Sequence, residues 1–206
     1  MAWQIDRRGR RSIRRPEHDY SSPGAYFVTI CVREKELLFG DICSGVMRLN
    51  TTGKIVWRVW TCLPSRFEAI VLDSFVVMPN HVHGLLWIAD NSEPPSSTMA
   101  TSNESGPLPD ILVGAIHELP PDDRSARRRM LLPRVIGYFK TTTAKEINNL
   151  RGNSGLPVWQ RNYHEHIVRG DGDLVRIRRY IADNPTQWDE DEEHPLHQRS
   201  GSEFNR

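Results

Sequence analysis

Apolar positions along the chain fall into short runs, some alternating and some at helical spacing. Ala25-Tyr26-Phe27-Val28-Thr29-Ile30-Cys31-Val32 is β-branched and aromatic, follows a Ser-Ser-Pro-Gly turn signal, and predicts a first strand. Between Asn50 and Cys62 the apolar residues Ile55, Val56, Val59 and Trp60 recur at helical spacing, with Thr51 and Thr52 as caps and Pro64 as the stop. Phe67 to Met78 and His81 to Ala89 predict two more strands, separated only by Pro79-Asn80, a hairpin-scale connection. Pro133 opens a helix running to about Leu150, with Val135, Ile136, Phe139 and Ile147 facing inward. Gly152 to Pro157 breaks the chain, and Val158 to Val168 predicts a fourth strand. Gly170-Asp171-Gly172-Asp173 then opens a last helix that ends at Asn184, because Pro185 disfavours the helical conformation before it.

The order strand, helix, strand, strand, helix, strand, helix predicts an α+β fold. Its first six elements match the ferredoxin-like βαββαβ arrangement, an antiparallel sheet with helices packed on it, and the seventh is an additional C-terminal helix. The length of 206 residues suits one domain. From about 90 to 129 the composition turns to Ser, Pro, Thr, Asn and Glu and ends in Asp-Asp-Arg-Ser-Ala-Arg-Arg-Arg, which reads as a loop or insertion. The expected organisation is an N-terminal arm over 1–24, a domain over 25–188 and an acidic, polar tail over 189–206.

Charge is nearly balanced overall, with 27 Lys and Arg against 26 Asp and Glu, so only its distribution is informative. Arg7, Arg8, Arg10, Arg11, Arg14 and Arg15 crowd one end, and Asp189 to Glu193 are wholly acidic. Both stretches read as solvated, the first either as a solubilising arm or as one that grips phosphates. No apolar run is long enough to span a membrane, and the charged start lacks a secretory signal pattern, so the expected location is the cytoplasm. Cys31, Cys43 and Cys62 have no C-x-x-C spacing and are expected to be free, mostly buried thiols.

Met78-Pro79-Asn80-His81-Val82-His83 places two imidazoles at the mouth of a predicted strand. Side chains alternate along a strand, so His81, His83, Leu85 and Trp87 share one face, and two neighbouring neutral imidazoles there can chelate one divalent ion. The plainer alternative is a pair of hydrogen-bonded histidines with no ligand. On the last helix Leu174, Ile177 and Ile181 form an apolar stripe, bordered by Tyr180 and Asn184 four residues apart. Tyr180 is a candidate nucleophile and Asn184 a candidate oxygen ligand, whereas a packing tyrosine with its hydroxyl at the surface is the ordinary reading of such spacing. Arg176, Arg178 and Arg179 around it suit either phosphates or a solvated face.

Three ordered segments carry a resemblance: Met78-Pro79-Asn80-His81-Val82-His83, then Trp159-Gln160-Arg161-Asn162-Tyr163-His164-Glu165-His166, then Tyr180-Ile181-Ala182-Asp183-Asn184-Pro185. Together, over roughly Tyr26 to Trp188, they resemble the REP-associated tyrosine transposases, members of the HUH superfamily of single-tyrosine DNA nucleases. The resemblance implies that His81 and His83 bind metal, that Tyr180 is the catalytic tyrosine, and that Asn184 stands where related enzymes place a third ligand. Tyr138 is the rival nucleophile, and Glu165 or His166 are either supporting partners of the site or packing residues. The implied cofactor is Mg²⁺ or Mn²⁺. The implied substrate is single-stranded DNA with a hairpin from a palindromic repeat, cut and rejoined through a 5′-phosphotyrosine by a monomer or a homodimer. Arg176, Arg179 and the arginine arm would touch DNA. An alternative is a hairpin-binding protein of the same fold with little or no cleavage. Within the insertion, Gly114-Ala115-Ile116-His117-Glu118-Leu119-Pro120 can be encoded by GGGGCAATTCATGAATTGCCCC, which is its own reverse complement and suggests a palindromic repeat that once landed in frame.

Overall fold

A computed structural model describes residues 18–90, 130–191 and 193–196. The arginine arm, the insertion beyond residue 90 and the Gly114 to Pro120 stretch lie outside the described residues. Among the described residues no helix is long and apolar enough to cross a membrane.

The elements are β1 (Gly24–Cys31), β2 (Gly40–Cys43), β3 (Val46–Leu49), α1 (Thr51–Thr61), α2 (Leu63–Arg66), β4 (Ile70–Val77), β5 (His81–Ile88), α3 (Leu131–Arg151), β6 (His164–Ile167) and α4 (Gly170–Asp183), followed by a 3₁₀ segment over Asn184–Glu190. The main sheet has four strands in the order β4-β5-β1-β6, every neighbour antiparallel. That is the expected α+β split βαβ order, with α1 and α3 as its two crossover helices. The Pro79-Asn80 link closes tightly because the Met78 amide donates to the His81 carbonyl at 2.9 Å.

The sheet's two faces differ. On one, Val28, Ile30, Val82, Leu86 and Ile88 pack against Val56, Val59 and Trp60 of α1 and Leu132, Val135, Ile136, Phe139 and Ile147 of α3. Each such side chain removed from water contributes about 1.5–3 kcal/mol. Gly84 belongs to this face for a steric reason: a Cβ there would lie 2.3 Å from the Trp60 ring. On the other face Ala25, Phe27 and Leu85 meet Ile177 and Ile181 of α4, with Leu174 at the rim, a much smaller apolar contact.

A bulge interrupts β4. Leu72 pairs with Leu86 and Phe75 with Gly84, so Asp73 and Ser74 together stand opposite Leu85. The extra residue turns Phe75 to the α1 side, where it stacks on Trp60 at 4.5 Å and 6°. Asp73 stays on the α4 side with Trp87, whose indole N–H donates to its carboxylate at 3.0 Å.

Several expectations need correction. A small hairpin, β2–β3, lies between β1 and α1, where no strand was expected; its tight turn places Ser44 and Gly45 at φ 52° and 73°. The fourth strand is only His164–Ile167, and upstream of it the chain touches β1's extension through the isolated pair Val32 and Trp159. The last α-helix ends at Asp183, but Pro185 does not end helical structure, because a proline at the first turn of a new 3₁₀ segment loses no needed N–H donor. The core reaches back to Tyr20, 2% exposed, whose carbonyl accepts from the Leu132 amide at 3.1 Å. Cys31 is buried, whereas Cys43 and Cys62 are exposed. The acidic run is not wholly solvated: the Asp191 and Glu193 side chains are only 6% and 4% exposed.

Candidate metal and tyrosine site

Strand pairing fixes the positions of the two histidines. His81 stands opposite Cys31 and His83 opposite Thr29, on the face covered by α4. His81 is fully buried and His83 nearly so. Their Nε2 atoms approach to 3.0 Å, with the rings nearly edge-to-face.

The other nitrogen of each ring is occupied. Asn80 directs its amide NH₂ to the carbonyl oxygens of Glu193 (2.7 Å) and Lys35 (3.3 Å), which leaves its Oδ1 to accept from His81 Nδ1 at 2.8 Å. The His81 proton is therefore on Nδ1, and the Nε2 lone pair points at the shared centre. His83 Nδ1 is 2.8 Å from the Thr29 hydroxyl, which can accept its proton and release His83 Nε2 as a ligand in the same way.

A carboxylate completes the cluster. The ligand atoms of His81, His83 and Asp191 all lie within 4.8 Å of one another, with Asp191 Oδ2 3.9 Å from His81 Nε2. Asn184 sits beside them, buried; its NH₂ donates to Asp191 Oδ2 at 3.1 Å. Its Oδ1 is buried without a hydrogen-bond partner among the described residues, an acceptor in want of a donor or a cation. Two imidazole nitrogens, one carboxylate and one orphaned amide oxygen form a donor set that fits a divalent metal ion. Asp191, which the sequence alone assigns to a tail, joins the candidate donor set, and Asn184 stands beside it with its NH₂ on the carboxylate. The sequence alone does not single out Asn80 and Thr29 either, although their adjacency to His81 and their cross-strand position to His83 are the available signals.

Tyr180 reaches the same centre from α4. Its hydroxyl is 3.3 Å from His83 Nε2, and its ring packs edge-on against Phe27 and His83 at 6.0 and 5.1 Å. With 41% of the residue exposed, it forms the open side of an otherwise buried cluster. Tyr138 lies elsewhere, on α3 against Phe67 at 5.7 Å, on the opposite side of the sheet.

The remaining candidates have structural partners. His166 donates through Nε2 to Asp173 Oδ2 at 2.7 Å, and the same oxygen accepts the Arg169 amide at 3.0 Å. Burial raises the Asp173 carboxyl pKa, but these bonds and the Arg176 guanidinium outweigh it and hold the group below the ordinary range. Arg179 pairs with Asp183 at 3.3 Å and Arg178 with Asp73 at 2.6 Å. The Arg178 bond, with help from Trp87 and Ser74 and against burial, lowers Asp73 to about 2. Trp159 donates its indole N–H to Thr143 at 2.8 Å and Gln160 its amide to the Cys31 carbonyl at 2.9 Å, both of which fix the backbone beside β1. Glu165 pairs with Val28 and faces away from the histidines.

The chain is 36% identical over 184 residues to an uncharacterized protein of Haemophilus influenzae, a match that covers 89% of this chain and 92% of that one. It belongs to that protein's family. No family model matches the chain. Among solved structures it is similar to a REP-associated tyrosine transposase bound to a REP hairpin, with a TM-score of 0.43, 16% identity, and coverage of 89% of this chain and 82% of that one.

Proposed function

We propose that the protein is a metal-dependent, single-stranded DNA nuclease and strand transferase that acts at palindromic hairpins through Tyr180. The observation that carries this reading is the convergence of a buried histidine pair, a carboxylate and the hydroxyl of a half-exposed tyrosine on one centre. The three motifs that resemble REP-associated tyrosine transposases supply the substrate class.

His81, His83 and Asp191 would hold Mg²⁺ or Mn²⁺, with the orphaned Asn184 Oδ1 as a fourth donor. When bound, such an ion supplies Lewis acidity at a non-bridging oxygen of the scissile phosphodiester. Asn80 keeps His81 in the tautomer that offers Nε2, and the Thr29 hydroxyl can accept the Nδ1 proton of His83 so that it does the same. The Tyr180 phenol, whose ordinary pKa is about 10, releases its proton to solvent as its oxygen bonds to phosphorus. The bond from phosphorus to the 3′ oxygen breaks, and that oxygen takes a proton from solvent and leaves as a hydroxyl. Attack by a 3′-hydroxyl on the phosphotyrosine reverses the exchange, so cutting and joining need no nucleotide triphosphate. Arg176, Arg179 and the arginine arm, Arg7, Arg8, Arg10, Arg11, Arg14 and Arg15, are the proposed phosphate contacts.

The test is incubation of a hairpin-bearing single strand with Mn²⁺, followed by denaturing electrophoresis. The wild type is expected to cut and to carry covalently bound DNA, and Tyr180→Phe to do neither. An adduct that persists in Tyr180→Phe would remove the nucleophile, and tight hairpin binding without any adduct would leave a binding protein of the same fold.

A further inference from the structure

We infer that Asp73, turned toward α4 by the bulge in β4, is a positioning residue that sets the roll of α4 and with it the reach of Tyr180. The inference rests on the nuclease reading only for its catalytic consequence.

The apolar contact under α4 is too small to fix a rotation. It consists of Ile177 and Ile181 on Ala25, Phe27 and Leu85, with the half-buried Val76, Trp87, Val168 and Leu174 at its rim, and apolar contact is non-directional. Directional contacts flank that stripe on both sides. At about 100° per residue, Arg178 stands on one side of Ile177, while Tyr180 and Asp173 stand on the other, roughly 40–60° away. On the first flank the Arg178 guanidinium binds both oxygens of Asp73, Nε at 2.9 Å and Nη2 at 2.6 Å, in a bidentate fork of fixed geometry. On the second, Asp173 binds His166 of β6 at 2.7 Å.

Asp73 is itself held. Trp87 donates to its Oδ2 at 3.0 Å and Ser74 to its Oδ1 at 3.0 Å, so its four donor contacts come from β4, β5 and α4 together. Without the bulge the alternation of β4 could not place Asp73 on this face and Phe75 on the Trp60 face two residues later. The distortion therefore serves both faces at once.

The lever is short. With side-chain tips roughly 5–6 Å from a helix axis, a roll of about 20° moves a hydroxyl about 2 Å. Starting from 3.3 Å, that displacement takes Tyr180 out of reach of the histidine pair.

The experiment uses the full chain with 3-fluorotyrosine at its five tyrosines, Tyr180 being assigned by loss of its fluorine resonance in Tyr180→Phe. Arg178→Ala on the helix surface and Asp73→Asn are compared with Arg178→Lys in the DNA-free protein. The expected result is a Tyr180 resonance that moves in Arg178→Ala and Asp73→Asn toward its position in the urea-unfolded chain, and part-way back in Arg178→Lys, while the other resonances stay. With saturating hairpin strand and Mn²⁺, single-turnover adduct formation is expected to fall about tenfold or more in Arg178→Ala, with hairpin affinity within about twofold of wild type. A Tyr180 resonance unmoved in both variants overturns the inference, whether they melt earlier or bind DNA more weakly, since these are the marks of a purely structural or phosphate-binding role. Absence of adduct in the wild type would count against the nuclease reading, and the fluorine resonances alone would then decide whether Asp73 positions Tyr180.

Discussion

The two faces of one sheet, built from alternate residues of the same strands, follow different rules. Toward α1 and α3, β5 offers Val82, Gly84, Leu86 and Ile88, and its partners fill the space so closely that Gly84 has no room for a methyl group. Toward α4 it offers His81, His83, Leu85 and Trp87, covered by a thin apolar contact and by carboxylates with specific donors. The first face derives its stability from area and close packing. The second has little area to offer and holds polar groups in fixed orientations through hydrogen bonds, at the cost of several buried polar atoms. Separation by face lets the fold tolerate a polar, orientation-dependent cluster without weakening its main core.

That contrast can be broken from either side. The largest expected effect is on chemistry: Tyr180→Phe lowers single-turnover strand cleavage by on the order of 10⁴-fold while the urea midpoint stays near wild type. Phe139→Ala, on the α3 side, is expected to do the opposite, with a loss of about 3–5 kcal/mol of stability in urea titration and an unchanged cleavage rate for the fraction that remains folded. Asn80→Ala removes the acceptor that orients His81, and Mn²⁺ affinity measured by calorimetry should fall about 10–100-fold. Gly84→Ala forces a methyl into the Trp60 ring and should cost about 1–3 kcal/mol by the same urea titration, with metal affinity kept.

The smallest effect concerns acid. Folding lowers the Asp73 pKa to about 2, so the folded chain binds fewer protons there than the unfolded one. Its contribution is complete above the ordinary carboxylate range near 4 and is lost as pH falls toward 2. Wild-type stability, followed by chemical denaturation between pH 5 and 2, should therefore decline more steeply than that of Asp73→Asn.

Much of this was legible in the residues, for reasons that differ by element. The strands β1, β4 and β5 and the helices α1 and α3 announce themselves because each buries a full apolar stripe, and their order alone implies the antiparallel sheet. The β2–β3 hairpin did not, since its strands are only four residues each and alternate between exposed and at most half-buried positions beyond Gly40, too short a run to stand out. His81, His83 and Tyr180 could be named from motifs, but their meeting within hydrogen-bond distance is a tertiary fact. Asp191 was illegible because a run of five acidic residues normally indicates solvent, and only the 3₁₀ segment after Pro185 brings this one back over His81. The bulge at Asp73 was hidden as well: Asp and Ser inside a strand pattern look like exposed positions until the register of β5 is known.

The most direct measurement is pulsed electron paramagnetic resonance of Mn²⁺ added to the DNA-free protein. The expected result is one tightly bound ion with modulation from two directly coordinated histidine nitrogens, reduced to one in His81→Ala or His83→Ala and weakened in affinity by Asp191→Asn. Mn²⁺ that binds without nitrogen modulation, or a spectrum unchanged by loss of either histidine, would contradict the placement of a metal centre on the α4 face of the sheet.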